Sequence, residues 1–185
     1  MTDGIELQKI KLFEKLDFCL AEMSFRIGFG NDIHRLAVGR PLILGGILIP
    51  SDVGSVGHSD ADVLIHAITD AILGALALGD IGTHFPDNDE RWRNADSRIF
   101  LKEALKMMRA QNYRIENIDA TVSLETPKLK PYIEKIRQNL AEILEIEPSC
   151  VSVKAKTAEG LDAIGKAEAI KAEVVVLLKA EELYQ

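Results

Sequence analysis

Asp60-Ala61-Asp62-Val63-Leu64-Ile65-His66-Ala67-Ile68-Thr69-Asp70-Ala71-Ile72-Leu73-Gly74-Ala75-Leu76-Ala77-Leu78 reads as one long helix, with Ser59 or Asp60 as its N-cap. Apolar side chains cover most of its circumference. Asp62, His66, Thr69 and Asp70 form the one polar stripe, at helical spacing. A helix this apolar is buried in a core or between subunits, and polar groups on it are costly unless something binds there.

The flanking segments supply what this helix packs against. Upstream, Phe25-Arg26-Ile27-Gly28-Phe29-Gly30-Asn31-Asp32-Ile33-His34 alternates as a strand, with glycines where backbones approach closely. Leu42 to Ile49 reads as a hairpin turning at Gly45-Gly46. Downstream, helices are expected at Arg98–Ala110 and Pro131–Leu144, and strands at Tyr113–Leu124, Val151–Thr157 and Ala169–Lys179. This order predicts an α+β two-layer sandwich, one mixed sheet covered by helices. Residues 24–185 read as a single domain. Residues 1–23, with acids and lysines around a loose apolar face of Ile5, Leu12, Leu16 and Leu20, read as an N-terminal extension of unknown role. That composition matches neither a secretory signal nor a transit peptide.

The formal net charge of -7 argues against nucleic acid or an anionic membrane as partner, since both need a basic face. No apolar run is long enough to span a bilayer. Cys19 and Cys150 stand far apart in no metal-type spacing and read as reduced thiols, which points to a cytoplasmic protein. An acidic chain that binds phosphates must place metal ions or local lysines and arginines at the site.

Four clusters carry such chemistry. Asp32 and His34, two apart on a strand, point to the same face, and His66 can join them from the polar stripe of the helix. Two imidazoles and a carboxylate with an open fourth position would form a catalytic rather than structural zinc set; taken alone, Asp32 and His34 read equally as two polar residues at a strand end. His58 precedes the helix N-terminus, where a phosphate would find free N–H groups; a solvent-exposed histidine is the alternative reading. The loop Gly79 to Asp89 gathers Asp80, Asp87 and Asp89 and reads either as turns or as acceptors for a polyol. Lys154 to Gly160 ends a strand with Lys156 and Thr157 suited to phosphate and Glu159 suited to a hard cation such as Mg²⁺, or else a solvated strand end.

Taken in order, these motifs resemble one family. Arg26-Ile27-Gly28-x-Gly30-x-Asp32-x-His34, Gly45-Gly46-x-x-Ile49-Pro50 and His58-Ser59-Asp60-x-Asp62-x-x-x-His66 are similar to 2-C-methyl-D-erythritol 2,4-cyclodiphosphate synthases. So are Leu78-Gly79-Asp80-Ile81-Gly82-x-x-Phe85-Pro86-Asp87, Ala95-Asp96-Ser97-Arg98, Pro127-Lys128 and Lys154-Ala155-x-Thr157-x-Glu159. The resemblance runs from about Arg26 to the last strand. It implies a lyase of the non-mevalonate isoprenoid (terpenoid) pathway, cyclising 4-diphosphocytidyl-2-C-methyl-D-erythritol 2-phosphate with loss of CMP. It also implies a homotrimer with active sites between subunits.

Zinc would then sit on Asp32, His34 and His66, and a magnesium or manganese ion on Glu159. His58 and Thr157 would stabilise the transition state. Ser59, Asp80, Ile81, Gly82, Phe85, Asp87 and Asp89 would hold the phosphorylated methylerythritol. Leu124, Pro127, Lys128 and Lys130 would form the cytidine pocket, with Lys156 on phosphate. Ala163 and Lys166 stand where the family has a phenylalanine and an arginine lining the central trimer cavity. Ala163 removes the aromatic, and Lys166 keeps the charge without the bidentate fork. Two other readings of the same residues are a metal-dependent phosphohydrolase and a zinc-stabilised trimeric binding protein without turnover.

Overall fold

A computed structural model describes residues 24–181. The expected N-terminal extension, 1–23, and Cys19 within it lie outside the described residues. A five-stranded sheet has the order β4-β1-β7-β5-β6, where β1 is Phe25–Val38, β4 Val53–Val56, β5 Tyr113–Ser123, β6 Val151–Lys156 and β7 Ala169–Ala180. A separate two-stranded ribbon pairs β2, Leu42–Leu44, with β3, Ile47–Ile49. Every pairing in the large sheet is antiparallel except β5 with β6, so the sheet is mixed as expected. The parallel pair is joined through a helix, because parallel neighbours need a crossover.

Helices α1, Val63–Ala75, α3, Arg98–Ala110, and α4, Ile133–Leu144, cover one face. Two single-turn helices, α2 at Ile81–His84 and α5 at Asp162–Gly165, lie within stretches that carry no helical periodicity. The core between layers includes Leu64, Ile65, Ile68, Ile72 and Leu73 of α1 with Ile118, Val122, Val174 and Val176 of the sheet. Each fully buried aliphatic side chain of this kind contributes about 1.5–3 kcal/mol.

The close packing of α1 on β1 rests on two glycines. A Cβ on Gly28 would stand 1.8 Å from the Ala71 carbonyl oxygen, and one on Gly30 would stand 2.0 Å from that of Ala67. Helix backbone therefore lies directly against strand backbone, with only alanines between. Even-numbered residues of β1 share this face, so Gly28 and Gly30 run on into Asp32 and His34.

Helix α1 begins later than the sequence reading placed it. Its N-cap is Asp62, which accepts the N–H groups of Leu64 and Ile65, and neither Ser59 nor Asp60 caps it. Ala61 has φ +59, which breaks helical continuity, and the Asp60 carboxylate is engaged by Ser97. Asp62 also accepts the N–H groups of Gly45 at 3.0 Å and Gly46 at 2.6 Å. This fully buried carboxylate thus ties the β2–β3 turn, both of whose glycines have positive φ, to the start of α1. Burial pushes the Asp62 carboxyl up to about 6, despite donors on both sides.

The outer face of the sheet is uncovered within one chain. Phe25, Ile27, Phe29 and Ile33 on β1, with Val175 on β7, are between 42% and 73% exposed. Single exposed apolar residues are ordinary, but a contiguous face of them marks an interaction surface.

Candidate active site

Strand β1 and helix α1 bring Asp32, His34 and His66 together. His66 Nδ1 stands 2.9 Å from Asp32 Oδ2, His34 Nε2 is 3.0 Å from the same oxygen, and the two nitrogens are 3.1 Å apart. In a tetrahedral zinc site with bonds of about 2.1 Å, neighbouring donor atoms stand roughly 3.4 Å apart. The three donors therefore fit one divalent ion after an adjustment of a few tenths of an ångström. Among the described residues they are the one such group of three acidic, histidine or cysteine side chains.

Burial opposes the charge of Asp32, but the neighbouring imidazoles of His34 and His66 outweigh it and hold this carboxyl well below the usual carboxylate range. Asp32 is thus kept in the form that ligates. Burial raises Asp70, one turn along α1, and its carboxylate accepts the Ile81 N–H at 2.7 Å, fastening α2 to α1. Thr69 is satisfied by the Ile65 carbonyl. Of the polar stripe, then, Asp62 and Thr69 serve the fold, and His66 faces the site.

The two histidines of the triad line a cavity of about 520 Å³ together with His58, Ser59, Ile81, Gly82, Phe85 and Asp87. His58 donates its Nε2 hydrogen to the Asp89 carbonyl at 3.2 Å, which anchors the far loop. Asp80 and Asp89 do not line the cavity. Asp80 caps α2 through the Thr83 N–H and hydroxyl, whose bonds hold it below its ordinary value. Asp89 caps the turn Glu90–Trp92 and pairs with Arg91. Three aromatic residues, Phe85, Trp92 and Phe100, wall the cavity with ring centroids 4.8 to 5.7 Å apart. Trp92 and Phe100 were not singled out from sequence, since an aromatic on a loop or a helix face carries no spacing signal.

Leu124, Lys128, Lys130, Lys156, Thr157 and Glu159 gather around a second cavity of about 270 Å³. Thr157 donates its hydroxyl to Glu159. Pro127, preceded by a cis peptide, lines a third hollow beside Pro50 to Val53. The sheet register places Asp32 level with Ala172, Val122 and Ala155, so the first two cavities lie towards the same end of the sheet. They sit three strand spacings apart, about 14 Å. Ala163 and Lys166, exposed at α5, line neither cavity.

A family model matches residues 25–179, almost all of the described chain, and its description is the YgbB family. The chain belongs to the YgbB family. Curated YgbB relatives include the 2-C-methyl-D-erythritol 2,4-cyclodiphosphate synthase of Salinibacter ruber, 50% identical over 155 residues, covering 84% of this chain and 99% of that protein. The bifunctional enzyme IspD/IspF of Albidiferax ferrireducens is 54% identical over 159 residues, 86% of this chain but 38% of that longer one. Among solved YgbB structures, IspF of Plasmodium falciparum in a CDP complex superposes with a TM-score of 0.77 at 40% identity, covering 86% of this chain and 98% of that one.

Proposed function

We infer that the chain converts 4-diphosphocytidyl-2-C-methyl-D-erythritol 2-phosphate into 2-C-methyl-D-erythritol 2,4-cyclodiphosphate and CMP, the non-mevalonate isoprenoid step of its relatives. The observation that carries this is the convergence of Asp32, His34 and His66 beside a cavity of about 520 Å³ in a YgbB chain. Residues 24–185 act as one synthase domain, a reading supported by the family match over 25–179 and a single core.

In the reaction an oxygen of the substrate's 2-phosphate bonds to the diphosphate phosphorus nearer the erythritol. The bond from that phosphorus to the CMP phosphate oxygen breaks as this one forms. The nucleophile is already anionic and CMP departs as an anion, so the protein need supply neither a base nor a covalent intermediate. What it must supply is in-line placement and charge neutralisation. Asp32, His34 and His66 would hold zinc, which would polarise a phosphoryl oxygen. Glu159 would hold magnesium or manganese, which would neutralise charge on the departing side. His58 and Thr157 donate to the oxygens on which charge develops. Ser59, Ile81, Gly82, Phe85 and Asp87 hold the erythritol side, with Asp80 and Asp89 shaping its loop. Leu124, Pro127, Lys128, Lys130 and Lys156 receive the cytidine diphosphate portion.

The active chain is a homotrimer with sites between subunits. Supporting this are the apolar outer face of β1 and β7 and the separation of two half-sites by about 14 Å within one chain. The altered residues Ala163 and Lys166 belong to the central cavity of that assembly. The enzyme works in the cytoplasm; among the described residues no helix is long and apolar enough to cross a membrane. Phosphorus NMR of the protein with substrate, zinc and magnesium tests the reading. A cyclic diphosphate with matching CMP supports it, while release of inorganic phosphate would make the chain a hydrolase.

A further inference from the structure

The Ala95-Asp96-Ser97-Arg98 stretch has no role in the chemistry described so far, yet Ser97 is fully buried beside His66. Its hydroxyl oxygen lies 2.8 Å from His66 Nε2, the ring nitrogen turned away from Asp32 and His34. The same hydroxyl meets Asp60 Oδ1, and the Ser97 backbone N–H reaches Asp60 Oδ2 at 3.1 Å. Backbone bonds hold the two segments in place: Asp60 N–H to Ala95 carbonyl at 2.9 Å, and Asn94 N–H to His58 carbonyl at 2.7 Å.

A proton count fixes the direction of this chain. The Asp60 carboxylate already accepts N–H donors at both oxygens, from Ser97 and from Asp62. It is therefore the acceptor, and Ser97 gives it its single hydroxyl hydrogen. Ser97 Oγ then has only lone pairs left for His66, so Nε2 must carry the ring hydrogen and donate it. Nδ1 is left bare, its lone pair directed at the space shared with Asp32 and His34. Ser59 Oγ, 3.1 Å from Nε2 and 3.3 Å from Ser97 Oγ, is a second acceptor for the same hydrogen.

We propose that Asp60, acting through Ser97, is a positioning residue that sets the tautomer of His66 and so makes it competent to ligate a divalent cation. The proposal rests on the metal reading of the triad. Partners of this kind typically affect metal affinity 10- to 100-fold.

Two substitutions separate orientation from packing. Ser97→Ala leaves Ser59 to accept from Nε2, so zinc affinity, measured by competition with a chromogenic chelator, falls about tenfold. Asp60→Asn is nearly isosteric but cannot accept at both oxygens. With its carbonyl kept on the Ser97 N–H, its amide donates to Ser97 Oγ and reverses the chain. The ring hydrogen then moves to Nδ1, and affinity falls by up to about a hundredfold. Nitrogen-15 NMR of His66 in the metal-free proteins reads the tautomer directly: Nε2–H in the wild type, a shift toward Nδ1–H in Asp60→Asn. Unchanged tautomer and affinity in folded Asp60→Asn would overturn the proposal, as would affinity lost in that variant with the tautomer unchanged. If the wild type takes up no zinc, the metal reading fails, and the metal-free spectra still decide the tautomer. Should Asp60→Asn not fold, Ser97→Ala decides by zinc affinity: a fall of about tenfold supports the proposal and an unchanged affinity overturns it.

Discussion

Single side chains divide here into those that make chemistry and those that hold it in place. In the proposed reaction Asp32 and His66 belong to the first kind: with two of three donors left, a bound ion would lose affinity, and the charge stabilisation it gives, several kcal/mol, would go with it. Asp32→Ala and His66→Ala should each lower the cyclisation rate on the order of 10³-fold or more, with zinc content by elemental analysis falling in parallel. Asp62 holds the fold. Removing its carboxylate leaves four backbone donors unpaired at a buried site, so Asp62→Ala should cost about 3 kcal/mol or more in urea denaturation. Its titration gives a pH signature of defined sign. The folded carboxyl is raised from 3.8 to about 6, so the folded state binds the proton more tightly. The stabilisation is present below about pH 4 and lost as pH rises towards 6, up to about 3 kcal/mol in all. Stability curves across that window should show this decline, and Asp62→Asn should remove that slope whatever it does to the absolute value.

At the level of elements, the site depends on how near α1 approaches β1. Gly30→Ala would place its Cβ 2.0 Å from the Ala67 carbonyl and push the helix outward, one residue from the one that carries the third ligand. Destabilisation of about 1–3 kcal/mol is expected, together with weaker zinc binding, because His66 moves with α1 while Asp32 and His34 stay on the strand. Gly74→Ala provides the contrast. On the same helix its Cβ would meet nothing nearer than 3.9 Å, so it should stabilise by about 0.5–1 kcal/mol and leave zinc affinity unchanged. Thermal midpoints and chelator competition on both variants separate close approach from a general intolerance of change in α1.

The whole molecule raises the question of where a complete site is built. Triad and Thr157–Glu159 cluster stand at one end of the same sheet but three strands apart. If sites form between copies, Asp32→Ala and Thr157→Ala chains, each inactive alone, should complement after mixing and refolding. One site in four then combines an intact triad with an intact Thr157, giving roughly a quarter of wild-type activity. No recovery in mixed trimers would put the complete site within one chain. Charging the uncovered face, as in Phe29→Asp, should lower the mass seen by analytical ultracentrifugation and abolish turnover together.

Sequence alone determined the α+β order of elements, the burial of α1, the glycine contacts on β1 and the Asp32, His34 and His66 set. These are local patterns: a period of two or 3.6, a glycine where no Cβ fits, ligand types at fixed offsets. Even there α1 was drawn too long, because the capping of Asp62 depends on Gly45 and Gly46, far away in sequence. Strand β4 and the short helices α2 and α5 escaped because four residues hold only two strand periods or little more than one helical turn, too few to stand out as a pattern. Only the tertiary structure decided that Asp62 serves the fold, that Asp80 and Asp89 cap turns, that Trp92 and Phe100 wall the cavity, and that Ser97 links Asp60 to His66. Hydrogen bonds between residues more than thirty positions apart leave no periodic trace in the chain, because the pairing is set by which surfaces the core brings together.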